Sequence, residues 1–410
     1  MRIRFLLIGV LLSIHPIYAH ATTLEAAMDA ATAQHPLLRI AQQNIEMARG
    51  QLIEQSSYAY NPELSLEPQY RRLNGGGTGT DYYIGLSQGI ELGGKRGYRA
   101  QAAQQGLNTA KRESELNRQQ LSIGAARTFV ELFFAKQTLN LRNKQSVMLD
   151  KLSQAVHHQM AVGEMSQLDV NLARAAFTSA LSAKMGAKQL FILNQAQYYM
   201  AVGGEKMSAP ELPRLLIDWQ PPEDALAIAL ESRPDVAALR SRLAQSHAQS
   251  NLASAGRIPD PTLSIMAGRE AGEQLVKVAI SFPLPLWNSH QGSYQHALAK
   301  ASQAETQLSW SEQKMRLDIQ AARYNHQSAM QMLNSAYQAE KSATFQHSIK
   351  LAQTAFAAGE MDLEELVIHV NQALEAQLTS IEISKQGWLA RIRLAEVLGH
   401  PEYILEGIQK

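Results

Sequence analysis

Asp81-Tyr-Tyr-Ile-Gly-Leu-Ser-Gln-Gly-Ile-Glu-Leu-Gly-Gly-Lys-Arg-Gly-Tyr-Arg99 is the stretch in which the chain changes character. Tyr82, Ile84, Leu86, Ile90 and Leu92 alternate with Tyr83, Gly85, Ser87, Gly89 and Glu91. That period of two belongs to a strand with two unlike faces. Gly93 and Gly94 follow, then a long proline-free run rich in Ala, Gln, Leu, Lys and Glu, a helical composition. The spacing predicts a strand to about Leu92 that runs straight into a very long helix.

Upstream, Asn61-Pro-Glu-Leu-Ser-Leu-Glu-Pro-Gln-Tyr70 alternates as well, with Leu64, Leu66 and Tyr70 opposite Glu63, Ser65, Glu67 and Gln69. With residues 71–80 as a glycine-rich flexible loop, the two segments form a hairpin. Its strands of roughly ten residues have the length a tilted strand needs to cross a bilayer. Before it, Thr22-Thr-Leu-Glu25 has capping-box spacing. An amphipathic helix then reaches about Tyr58, with a break at His35-Pro36.

Downstream, no proline occurs between Pro68 and Pro210. About 60 residues of helix from Lys95 would measure about 90 Å, which a compact domain cannot use. Residues 161–169 mark a turn, a return helix runs to about Met200, and residues 204–222 read as a linker. The pattern then repeats. Arg233-Pro234 stands for His35-Pro36, and Asp260-Pro-Thr-Leu-Ser-Ile265 matches Asn61-Pro-Glu-Leu-Ser-Leu66. Val276, Val278, Ile280 and Phe282 form a second alternating strand, and Ala358-Gly-Glu-Met361 echoes Val162-Gly-Glu-Met165. The expected organisation is a signal peptide at 1–21, a first repeat at 22–203, the linker, a second repeat at 223–400 and a tail at 401–410.

The 410 residues carry a net charge of +1, without the basic surplus of a nucleic-acid binder. Arg2 and Arg4 precede an apolar run from Phe5 to Ile14, and Ala19-His-Ala21 supplies a small-x-small site, the pattern of an export signal. No other apolar run reaches 18 residues, so no transmembrane helix is expected. The absence of cysteine excludes disulfides and thiolate chemistry. An exported, cysteine-free chain suits the periplasm or outer membrane of a Gram-negative cell.

A membrane sheet must close, and barrels begin at about eight strands. Four strands per chain cannot close alone, whereas three chains supply twelve, so a cyclic homotrimer is the simplest solution. The expected fold is mainly α with a small membrane β part. A long α-helical barrel would continue a twelve-strand β-barrel in the trimer. A soluble periplasmic helical scaffold without a pore is the competing class.

With these features the chain resembles the TolC-type outer-membrane efflux family over essentially its whole mature length. Ser87-Gln-Gly-Ile-Glu-Leu-Gly-Gly-Lys-Arg96 is similar to the junction motif of its heavy-metal branch, the CzcC-like proteins, with Gly89 where that branch usually has proline. The resemblance implies a passive exit duct in outer-membrane lipid, driven by an inner-membrane pump through a periplasmic adaptor. Heavy-metal cations are the first cargo and drug-like molecules the second. It also implies a periplasmic gate near Asp169, Glu365 and Glu364, with Glu360 and Asp362 close by, and adaptor contacts at the turns Gly163, Glu164, Gly359 and Glu360.

Gly89-Ile-Glu-Leu-Gly-Gly-Lys95 nearly matches a phosphate-binding loop but continues with Arg96 instead of Ser or Thr. Gly93 and Gly94 instead let the backbone turn from strand to helix, placing Lys95, Arg96 and Arg99 at the periplasmic membrane face. Among twelve histidines, His157-His158 and the pair His290 and His296 lack metal-site spacing. Met160, Met165 and Met361 read as packing residues. No catalytic set stands out, and neither a cofactor nor an enzyme activity is expected.

Overall fold

The computed structural model describes residues 23–406 apart from 34, 74, 205–210, 216 and 343–344. The expected signal peptide at 1–21 and the end of the tail at 407–410 lie outside the described residues, as does part of the linker.

Two short helices, α1 (Leu24–Ala33) and α2 (Pro36–Ser56), lead into a hairpin of β1 (Glu63–Leu73) and β2 (Gly77–Gly89). The 67-residue helix α3 (Lys95–Ala161) and the return helix α4 (Gln167–Ala201) follow. The second half begins with α5 (Ala225–Ser232) and α6 (Pro234–Ala255), followed by β3 (Thr262–Glu270) and β4 (Glu273–Ser281). It continues with α7 (Gln291–Ser342), α8 (Phe345–Ala357), α9 (Leu363–Leu398) and a 3₁₀ turn (Pro401–Ile404).

Local chemistry sets these boundaries. Pro36 and Pro234 each occupy the first turn of a helix, where a missing N–H costs nothing. His35 Nδ1 accepts a hydrogen bond from Leu37 N at 3.2 Å. Residues 71–80, expected as a loop, are mostly strand: the ladder continues through Arg71↔Gly79 to Leu73↔Gly77. Paired backbone there outweighs the glycine composition. At its other end β2 stops at Gly89, short of the expected Leu92. The long run after β4 is described as α7 and α8, on either side of residues 343–344.

All four strands lie in one antiparallel sheet, ordered β1-β2-β3-β4. Near the sheet α2, α3, α6 and α7 contact one another in sequence. Farther along, α3 is flanked by α4 and α9, and α9 by α8. At 1.5 Å per residue α3 spans about 100 Å. The main core forms a belt around its middle. Ile123, Ala126, Phe129 and Val130 pack there against Leu24 and Met28 of α1, Tyr198 of α4, and Trp388 and Ile392 of α9. Among the described residues no helix is long and apolar enough to cross a membrane.

Candidate functional site

The sheet is inverted relative to a water-soluble protein. Across its strands, Leu66, Ile84 and Ala267 stand in one row, paired through Val276, and Leu64, Leu86, Ile265 and Val278 in the next. These apolar side chains face outward: Leu64 is 69% exposed, Leu66 67%, Val276 71% and Val278 70%. The opposite face carries Ser65, Glu67, Gln69, Tyr83, Asp81, Ser264 and Lys277, and there Asp81 and Tyr83 are buried. An apolar outer band over a polar inner face, alternating along every strand, is the arrangement of a membrane β-barrel wall.

Polar groups on the inner face satisfy one another. Asp81 Oδ1 accepts from Arg71 at 3.2 Å and from Ala271 N at 3.0 Å. Tyr83 donates to Glu270 at 2.9 Å, and Lys277 sits 3.8 Å from Glu270 and 4.8 Å from the Tyr83 ring centre. The ring lies across Gly268, where a side chain would collide with it. The outer strands β1 and β4 each leave one edge unpaired among the described residues.

At the strand-to-helix junction Gly93 and Gly94 both adopt φ of +72°. Lys95, Arg96 and Arg99 follow the sheet, and their charge is spent inside the chain. Lys95 Nζ donates to Ile258 O at 2.6 Å and to Asp260 Oδ1 at 2.7 Å. Arg96 donates to Ser56 O at 2.7 Å and lies over the Tyr58 ring, and Arg99 reaches Glu91 at 2.8 Å. Asp260 also accepts from Leu92 N and from the Tyr60 hydroxyl, both at 2.9 Å. Burial works against its charge, but the Lys95, Leu92 and Tyr60 hydrogen bonds hold its carboxyl below the usual range, and the same bond raises the Tyr60 phenol. Gly89 packs on Tyr60: a Cβ there would fall 2.7 Å from the ring.

At the far end the two turns are built alike. Gly163 (φ +82°) and Gly359 (φ +75°) close Schellman-type ends, with Glu164 N donating to Gln159 O and Glu360 N to Ala355 O, both at 2.9 Å. Asp169 and Glu365 then form capping boxes with Ser166 and Asp362. Hydrogen bonds from the Ser166 hydroxyl and amide hold the Asp169 carboxyl below its usual range. Both acids are thus held in helix capping boxes, while Glu364 is exposed and makes no side-chain hydrogen bond with the described residues. The turns meet through Val156, Val170, Leu363 and Val367, with Met160 and Met165 packed against them and Met361 in the adjoining cluster. A groove of about 680 Å³ runs beside them, lined by Lys144, Val147, Lys151, Phe356 and Val370.

The described residues hold no cluster of three or more metal-ligating side chains; His157, His158 and His296 are exposed. Composition and spacing did not reveal one buried polar group. Arg391, 0% exposed, donates to His326 Nε2 at 3.2 Å and to Glu406 O at 2.9 Å, and rests 3.6 Å from the Trp219 ring centre. An arginine amid the apolar positions of α9 was the available signal. It ties α7, the linker and the C-terminal segment together.

Residues 225–400 match the model of the outer membrane efflux protein family. The cobalt-zinc-cadmium resistance protein CzcC of Cupriavidus metallidurans is 25% identical over 390 residues, covering 92% of this chain and 86% of the relative. Solved structures share the fold. The Campylobacter jejuni CmeC outer membrane channel superposes with TM-score 0.78 at 16% identity, covering 92% of this chain and 85% of its own. The Vibrio cholerae outer membrane protein VceC gives 0.76 at 17%, covering 92% and 96%. Residues 225–400 are thus similar to the outer membrane efflux protein family, and the chain shares the fold of solved outer membrane channels.

Proposed function

We propose that the chain is the outer-membrane duct of a tripartite efflux system for heavy-metal cations. Three copies close a twelve-strand barrel, and an inner-membrane pump working through a periplasmic adaptor supplies the driving force. The observation that carries this reading is the four-strand sheet with an apolar outer face, a polar inner face and two open edges. Bare strand edges are untenable in lipid, so the sheet needs neighbours, and a water-soluble scaffold would have no use for the exposed band. The metal assignment follows from the junction motif and the likeness to CzcC.

The adaptor is placed at the turns around Gly163, Glu164, Gly359 and Glu360 and in the adjoining groove. The gate is placed at the same end, with Glu364 as its free carboxylate and Asp169 and Glu365 as the caps that position it. In a threefold assembly each acid becomes a ring of three, a route to cation selectivity. The test is a strain lacking the chain, challenged with cobalt, zinc, cadmium, copper and silver salts and with a panel of drugs. Lowered metal tolerance is expected. Unchanged metal tolerance with raised drug sensitivity would reassign the cargo.

A further inference from the structure

The charged side chains of the sheet are sorted by face. On the inner face Glu67, Asp81, Glu270 and Glu273 stand with Arg71 and Lys277. Both bases have an acid beside them: Arg71 lies 3.2 Å from Asp81 and Lys277 3.8 Å from Glu270. The outer face of the four strands carries no acid and no lysine. Its charges are Arg72, opposite Thr78, and Arg269, opposite Tyr82 and Gln274, and both arginines are exposed. Neither makes an ion pair with the described residues. Arg72 makes no hydrogen bond with them, and Arg269 donates from Nε to Gly272 O at 3.3 Å.

Both arginines lie at the hairpin-turn end of the apolar band, away from the end at which the long helices leave the sheet. Leu64, Leu66, Pro68, Tyr70 and Arg72 succeed one another on the outer face of β1. At about 3.4 Å per residue and a tilt of about 40°, Arg72 stands about 20 Å above Leu64, close to the height of about 25 Å typical of an outer-membrane apolar band. Arg269 closes the same progression on β3, two residues before the turn at Ala271-Gly272. Tyr70 and Tyr82, 74% and 54% exposed, occupy the rows between the aliphatic residues and the tip of the hairpin. Aliphatic, aromatic and cationic residues thus follow in the order of hydrocarbon, interface and head group.

The other end of the band is built differently. There Lys95, Arg96 and Arg99 are bonded to Asp260, Ser56 O and Glu91, and the exposed residues are Leu284, Leu286 and Trp287. Free positive charge is therefore confined to one rim of the lipid-facing surface. A guanidinium at the edge of hydrocarbon needs an anion. Its planar fork matches a phosphate through two parallel hydrogen bonds. Because the outer face holds no carboxylate, the counter-charge comes from outside the chain.

We propose that Arg72 and Arg269 bind the phosphate groups of a phosphorylated lipid in the outer leaflet, lipopolysaccharide in a Gram-negative cell, and so fix the height of the barrel wall in the membrane. The two arginines are one strand removed from each other, β2 lying between them, and hold neighbouring phosphates on one surface. This rests on the outer-membrane reading above and adds a lipid ligand to it.

The test is binding of lipopolysaccharide to the full chain, extracted from membranes and delipidated in detergent, read by native mass spectrometry. Arg72→Gln with Arg269→Gln is expected to weaken binding at least about tenfold. Arg72→Lys with Arg269→Lys should keep most of it, and Lys277→Gln, which removes a base from the inner face, should leave it unchanged. Dephosphorylated lipopolysaccharide should bind the parent chain as weakly as the intact lipid binds the double glutamine variant, an arm that does not depend on any variant folding. Excess inorganic phosphate should not displace the lipid. Equal binding of the intact and dephosphorylated lipids would overturn the proposal, as would an equal loss in Lys277→Gln. Displacement by inorganic phosphate would assign the arginines to the free anion. Lipid-free assemblies of higher mass that the double glutamine variant abolishes would assign them to a protein contact. Recovery of the chain outside the outer-membrane fraction would instead sink the outer-membrane reading itself.

Discussion

Asp260 draws its hydrogen bonds from three places in the first repeat: Tyr60 before the first strand, Leu92 after the second, and Lys95 at the start of α3. Lys95 and Asp260 are only 11% and 13% exposed, so removing one partner strands the other in a covered site. Lys95→Met is expected to cost about 1–3 kcal/mol, read as a lower thermal midpoint in detergent. A carboxyl held below its unfolded value stabilises the fold above that value and ceases to do so as pH falls through the folded one. The contribution of Asp260 should therefore be intact at neutral pH and vanish below about pH 4. Asp260→Asn should be less stable than the parent at pH 7 and flatter below pH 4. At the other end, removing the N-cap side chains by Ser166→Ala or Asp362→Ala should each cost about 1 kcal/mol. Glu364→Gln should lower the cation selectivity of single channels in planar bilayers. Unchanged selectivity would remove Glu364 from the gate. These residues show what sequence could reveal. Spacing exposed the Gly-Glu turns and the acids, but a capping role depends on a backbone direction that spacing does not encode. The packing of Tyr60 on Gly89 is likewise a contact between strand ends that no local pattern announces.

Arg391 works at the level of elements, because its guanidinium is the shared partner of His326 on α7, Trp219 of the linker and the carbonyl of Glu406. Burial, with Arg391 beside it, pushes the His326 imidazole down to about 4, so it is neutral and accepts from Arg391. A histidine depressed in the fold favours folding above its unfolded value of about 6.5 and loses that effect as pH falls toward 4. Thermal stability should thus decline by about 3 kcal/mol across that window, and His326→Gln should flatten the decline. Arg391→Lys should not restore Arg391→Met, since an ammonium lacks the planar fork that stacks on Trp219. Most elements were legible from period and proline spacing. The glycine-rich 71–80 segment was not, because ladder pairing with the opposite strand decided its conformation.

For the whole molecule, the deciding feature is which way the sheet faces. Ile84 lies in the middle of the outer band, 55% exposed in the single chain. Ile84→Arg is expected to cost about 2–4 kcal/mol where lipid is thickest, and Ser65→Arg on the inner face much less. The fraction of heat-modifiable trimer recovered from outer membranes measures both. An equal loss from the two substitutions would contradict the assignment of faces. Two unlike faces were readable from alternation alone. Which face meets water was not, since alternation is the same for a soluble sheet and a barrel wall, and only strand count and open edges distinguish them.

Those open edges have a genetic consequence. In the proposed trimer a ring of three identical seams fails if one seam fails, so a copy carrying a proline in β4, such as Val278→Pro, should act dominantly over the normal allele. With equal expression and random mixing, about one ring in eight would contain only normal chains. Tolerance to the exported substrate should fall far below the half expected of a simple loss, and raising the share of normal chains should restore it steeply.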